Sequence, residues 1–194
     1  VNWKSHRRHG LVYGGKVNLA VGLTLGPGID NCDLTPLASA GQQRQVLQHC
    51  QQAVAQGARL VTGGATPKSM PGYFFEPTVF CDVSAEMDLF QQEVFGPVIA
   101  ITPFDTEQQA WELANGTDYG LVAGIFSKDI NHCLRGIREL KAGQVFVNEW
   151  YAGGIETPVG GTGLSGFGRE KGQEALYNYV RSKNVAIRVA ASPD

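Results

Sequence analysis

"VIAITPFDTEQQAWELANGTDYGLVAGIFSKDINHCLRGIRELKAGQVFVN", residues 98–148, is the stretch on which the fold turns. Three short runs rich in β-branched and aromatic residues, VIAITPF (98–104), VAGIF (122–126) and QVFVN (144–148), read as strands. Between them lie two stretches of helical character, Thr106–Ala114 and Asn131–Leu140. In the second, Ile130, Cys133, Leu134 and Ile137 recur at i, i+3, i+4 and i+7, a stripe that would face a sheet. Strands alternating with helices of this length pair in parallel through right-handed crossovers. The expected class is therefore α/β: an open, mainly parallel twisted sheet with flanking helices, incomplete at its N-terminal side.

Upstream, the spacing predicts a helix over Ala40–Gln56, with Val46, Leu47, Cys50, Ala53 and Val54 on one stripe and Gly57 as its stop. RLVTGG (59–64) reads as a strand and turn, and YFFEPTVF (73–80) as an extended piece interrupted by Pro77. Downstream, an irregular loop follows Val147, then a short helix from about Glu170 to Tyr179 and an alternating strand, Lys183–Val189. No internal repeat or low-complexity tract breaks the chain.

A length of 194 residues suits one domain, with at most a small appendage, and can bury a sizeable core. With 43% hydrophobic residues, 18% charged residues and a net charge of -2, the chain lacks the character of a disordered or polyanion-binding protein. Lys4, Arg7 and Arg8, with His6 and His9, form the one dense basic run. Without aromatic or motif context it reads as a solvated arm, so no nucleic-acid partner is expected. Cys32, Cys50, Cys81 and Cys133 show no C-x-x-C pairing, which argues against a zinc knuckle or disulfide scaffold and for reduced thiols in the cytoplasm. The histidines are scattered, and His6-x-x-His9 in an arm makes a poor metal site. No apolar run approaches the roughly 18 residues of a membrane span, and VNWKSHRRHG lacks the apolar centre of a signal peptide. The missing initiator Met points to a chain cut from something longer.

PVGGTGLSGFGRE (158–170) contains Gly161, Gly163 and Gly166 at the G-x-G-x-x-G spacing of a dinucleotide loop. That fingerprint needs a strand before it, a helix after it and an acid about 20 residues on. Here the preceding IETPVG is a poor strand, position 186 is Ala, and Asp194 is the only acid after Glu174. The glycines are better read as a tight, multiply turned loop. The segment Asn148–Thr157 leaves the carboxyl end of a parallel strand, where open α/β sheets bind ligands. QQEVFGPV (91–98) offers a second ligand-binding candidate, because Glu93 and Phe95 at i, i+2 in an extended segment project to one face. A carboxylate can accept hydrogen bonds from paired sugar hydroxyls, and a ring can wall a planar heterocycle. A surface Glu beside a core Phe at a Gly-Pro turn is the alternative, and the residues alone favour it.

LGPGID (25–30), PGYFFEPTVF (71–80), EVFGPV (93–98), ANGTDYGLVAGIFSKD (114–129), VFVNEW (145–150) and ETPVGGTGLSGFGREKG (156–172) stand in an order that resembles the C-terminal half of the aldehyde dehydrogenase superfamily. The resemblance runs from about Leu25 to Val189. It implies an unmatched N-terminal arm over 1–24, a partial catalytic domain over 25–182, and a terminal oligomerisation strand and tail over 183–194. It further implies NAD(P)-dependent oxidation of a small-molecule aldehyde to a carboxylic acid through a cysteine thiohemiacetal, hydride transfer and thioester hydrolysis. Glu93 matches the glutamate that holds the nicotinamide ribose, and Phe95 the aromatic residue against the nicotinamide. The loop Glu149–Val159, with Trp150 and Tyr151, matches the wall of the aldehyde tunnel. Its commonly aromatic position is Val159 here, which weighs against bulky aromatic aldehydes. Lys183–Val189 matches a strand that pairs with another subunit, so a homo-oligomer is implied through an edge otherwise left open.

The family's nucleophilic cysteine, general-base glutamate and nucleotide-binding fold lie upstream of the matched region. Cys50 and Cys133 each follow a histidine, but neighbours on a helix do not face each other, and both lie on apolar stripes. No catalytic residue is therefore expected among these 194, nor is NAD or NADP expected to bind them without the rest of the enzyme. The alternative function is a non-catalytic module that associates with itself or with whole subunits through its sheet edge.

Overall fold

Helix α1 spans Ala40–Ala55, within one residue of the expected bounds. Ser39 caps it, its hydroxyl accepting from the Gln42 N–H at 3.1 Å, and Gly57, at φ +98°, turns the chain out of it. Val46, Cys50 and Ala53 are buried against Phe75, Phe80, Val83 and Leu89. Val54 falls outside the stripe and is half-exposed. The structure, a computed structural model, describes residues 20–189. The basic run with His6-x-x-His9 and the last five residues of the tail lie outside the described residues.

Strand β1 (Arg59–Thr62) runs antiparallel to β2 (Thr78–Cys81), which runs parallel to β3 (Val98–Ala100), in the order β1-β2-β3. All four residues of β2 are buried, as expected for a central strand. Pro77 sits just outside this ladder, so its missing N–H costs no rung. A single helical turn, α2 (Asp88–Gln91), precedes β3, its Asp88 carboxylate accepting from the side chains of Gln52 and Gln56 on and beside α1.

Helix α3 (Glu107–Ala114) is capped by Thr106, and α4 (Ile130–Glu139) by Asp129. They flank β4 (Val122–Ile125) and β5 (Gln144–Val147), which pair in parallel. The open, mainly parallel α/β class holds. Among the described residues β3 and β4 share no rung, so the sheet is in two pieces. The α4 stripe also differs from expectation. Cys133 and Gly136 are buried, whereas Ile130, Leu134 and Ile137 stay half-exposed, because a two-stranded sheet is too narrow to cover the whole helix face.

Past β5, the expected helix at 170–179 is a 3₁₀ segment, Gln173–Asn178. Lys171 and Gly172 have φ of +58° and +59°, which breaks any helix before that point. Residues 183–189 form no ladder among the described residues, since a strand requires a partner.

Candidate functional site

From α2 the chain runs through 92–97 into β3 with alternating faces. Val94 packs on the core, while Glu93 and Phe95 on either side of it are both exposed. Phe95 is 68% exposed, so the core-Phe reading does not hold. Its backbone is nonetheless pinned. The Phe95 carbonyl accepts from the Gln42 side chain at 2.6 Å, and a Cβ on neighbouring Gly96 would come within 2.7 Å of Val46 on α1. A rigid backbone that presents an aromatic ring to water is a ready surface for a planar ligand.

Glu93 forms no hydrogen bond or ion pair among the described residues, so its carboxylate can accept from a ligand. It borders a cleft of about 360 Å³ whose other walls include Phe90, Tyr119, Leu121, Lys141 and Ser165. Phe95 stands outside that cleft.

Ser165 reaches the cleft because the glycine-rich loop is bound onto residues 118–120. The Thr162 N–H donates to the Gly120 carbonyl at 3.0 Å and the Leu164 N–H to Asp118 at 2.9 Å. The Gly120 N–H donates to Ser165 Oγ at 3.1 Å. Gly163 has φ +60°, and a Cβ there would strike the Asp118 carbonyl oxygen. Gly163 therefore serves close backbone contact and Gly166, at φ +101°, a turn, and no α-helix starts behind them among the described residues to receive a pyrophosphate.

The second group follows β5. Trp150 is 57% and Tyr151 70% exposed, and Glu149 is exposed beside them. Both rings lean on buried Phe146, Trp150 edge-on at 5.9 Å and Tyr151 stacked at 6.1 Å. Val159 is half-buried and held by reciprocal 2.7 Å backbone bonds with Glu170. No hydrogen bond joins it to Trp150 or Tyr151. The structure thus brings Glu93 to the same cleft as the glycine-rich loop, and gathers Glu149, Trp150 and Tyr151 separately at the end of β5.

Three of the four thiols are buried. Burial pushes the Cys50 thiol up to about 11 and, as the largest influence, raises that of Cys81. Cys133 is fully buried with its sulfur toward the Ser127 carbonyl, while the His132 ring turns away to Glu107, 2.9 Å from its Oε2. Cys32 Sγ donates to the Pro27 carbonyl at 3.4 Å.

Sequence reasoning overlooked Asn148, Ser127 and Ser165. Asn148 carries a usable signal, because Asn after a strand is one of the few non-glycine residues that tolerates positive φ. Ser165 carries none, since its role depends on Gly120, 45 residues away.

The aldehyde dehydrogenase family model matches residues 16–185. The chain is 39% identical to the chloroplastic betaine aldehyde dehydrogenase of Beta vulgaris over 165 residues, 84% of this chain and 33% of that protein. Among solved structures, betaine aldehyde dehydrogenase from Staphylococcus aureus in complex with NAD+ superposes with a TM-score of 0.88 at 35% identity, covering 92% of this chain and 36% of that one. The NAD+ complex of aldehyde dehydrogenase from Bacillus cereus superposes with a TM-score of 0.91 at 35% identity, covering 96% and 38%. The chain spans about a third of the length of the curated relatives it matches.

Proposed function

This chain belongs to the aldehyde dehydrogenase family, and from that premise we propose that it forms the C-terminal part of an NAD(P)-dependent enzyme that oxidises an aldehyde to a carboxylic acid through a cysteine thioester. The observation that carries the reading is the outward pair Glu93 and Phe95 on a pinned backbone. An unpartnered carboxylate beside an exposed ring fits the ribose hydroxyls and flat nicotinamide of NAD(P). When bound, that cofactor supplies the hydride acceptor. This chain's residues do the positioning: Glu93 accepts from two vicinal hydroxyls, Phe95 walls the heterocycle, and the loop from Glu149 to Val159 orients the aldehyde and excludes water. Relatives named for betaine aldehyde and aminoaldehydes make small cationic aldehydes the first substrates to assay, and the absence of an aromatic at Val159 supports aliphatic over bulky aromatic ones. All four cysteines are free, which supports a reducing compartment such as the cytoplasm.

Residues 1–194 alone are proposed to be inactive, because Cys50, Cys81 and Cys133 are buried and the half-exposed Cys32 bonds the Pro27 carbonyl rather than a base. NADH formation from an aldehyde panel is the test. The whole enzyme is expected to turn over, Glu93→Gln to raise KM for the cofactor about tenfold with little change in aldehyde KM, and residues 1–194 to give no more NADH than a protein-free control. An unchanged cofactor KM in Glu93→Gln sinks the assignment of that residue.

A second reading rests on a different observation. Val185, Ile187 and Val189 alternate along 183–189 and are all exposed, a half-apolar segment that pairs with no strand among the described residues. It supports self-association, or docking onto whole subunits, through this edge and the sheet edge.

A further inference from the structure

Strand β5 ends at Val147, and the last backbone rung to β4 is the bond from the Asn148 N–H to the Ile125 carbonyl at 2.8 Å. Beyond it the main chain departs, because Asn148 has φ +55°. Its side chain then continues the ladder in place of the backbone. Asn148 Oδ1 accepts from the Ser127 N–H at 2.8 Å, and Nδ2 donates to the Ser127 carbonyl at 2.9 Å. One residue thus closes the sheet and releases the chain into the loop.

Where the loop goes next follows from that turn. Trp150 is laid over Gly124 of β4, where an added Cβ would sit 2.9 Å from Trp150 Cζ3, and against the edge of Phe146. Tyr151, at φ +68°, reverses the chain again and stacks on the same Phe146 ring. Two consecutive aromatic residues with high exposure are therefore held by a carboxamide clamp behind them, a glycine gap beneath one and a buried ring between both.

We infer that Asn148 is a positioning residue for aldehyde binding: its two-point clamp on Ser127 sets where Trp150 and Tyr151 stand. The inference rests on the proposed reading of residues 149–159 as the aldehyde-facing wall. Asn148 touches neither aldehyde nor cofactor in this scheme and acts through the two rings. Gly124 serves the same end by leaving room for the indole.

Two measurements separate the inference from the reading beneath it. With 5-fluorotryptophan incorporated into residues 1–194, the Trp150 resonance, assigned by Trp150→Phe, should shift or broaden in Asn148→Gly, which keeps the positive φ and removes the clamp. The Trp111 resonance on α3 should stay in place, which reports that the fold survives. In the whole enzyme, Asn148→Gly should raise the aldehyde KM about tenfold while the NAD KM stays within about twofold. Asn148→Asp, whose carboxylate cannot donate to the Ser127 carbonyl, should shift both readouts the same way. Gly124→Ala should displace Trp150 with the clamp intact and raise the same KM. An unmoved Trp150 resonance in a folded Asn148→Gly overturns the positioning role. A displaced Trp150 with an unchanged aldehyde KM overturns the aldehyde assignment, and with it the reading of the loop.

Discussion

Cys50 shows how far one residue's surroundings can be read as chemistry. Its sulfur lies on the α1 face buried among Val46, Phe75 and Phe80, and loss of water pushes its ionisation from an ordinary value near 9.0 up to about 11. The folded thiol therefore keeps its proton at a pH where the unfolded thiol has lost it. The contribution to stability is complete below about pH 8 and is lost as pH rises from about 9 to 11, on the order of 2 kcal/mol in all. Urea midpoints of wild type and Cys50→Ala should converge over that window, and two curves that stay parallel to pH 10.5 would contradict the assignment. The helical period placed Cys50 on an apolar stripe. That two phenylalanines of the 73–80 segment pack around it was not legible, because those contacts span more than 20 residues.

At the scale of elements, α3 and α4 are locked by charge as well as by packing. Arg135 donates through Nε and Nη2 to the two carboxylate oxygens of Glu107 at 2.8 and 2.9 Å, and His132 Nδ1 lies 2.9 Å from the same carboxylate. The Asp129 carboxylate faces the other ring nitrogen of His132 at 3.4 Å. The guanidinium, foremost, holds the Glu107 carboxyl below its ordinary range. A carboxyl with a lowered native value stabilises fully above the unfolded value near 4.5, and that stabilisation disappears as pH falls through the native value. Glu107→Gln should lower Tm by about 1–3 °C at neutral pH, the pair being partly solvent-exposed. The difference from wild type should shrink as pH falls below about 4.5 and disappear only below the lowered native value, as thermal melts across pH 2–8 can show. Both helices were legible from their spacing, while their caps, Thr106 and Asp129, emerged only in the structure. The clamp was not, since Glu107 and Arg135 are 28 residues apart and belong to different periods.

Over the whole molecule, the mixed piece β1-β2-β3 and the parallel piece β4-β5 share no rung among the described residues, and apolar side chains on α4 and along 183–189 remain uncovered. Such surface favours assembly. Residues 1–194 should sediment as a concentration-dependent oligomer, and a chain ending at 182 should shift toward monomer. Identical sedimentation of the two would remove 183–189 from the interface. No described helix is long and apolar enough to cross a membrane. Local order was written in the chain itself: period and turn residues act over a few positions, so the α/β alternation and the approximate bounds of α1, α3 and α4 could be read from spacing, whereas the exposure of Phe95 could not. What only the tertiary structure decided are the contacts between distant segments. They include the break between β3 and β4, the seating of the glycine-rich loop on residues 118–120, and the grip of Asn148 on Ser127. A hydrogen bond across 21 residues leaves no periodic trace in either partner. It forms because the fold brings two backbone edges together and one side chain of the right length lies between them.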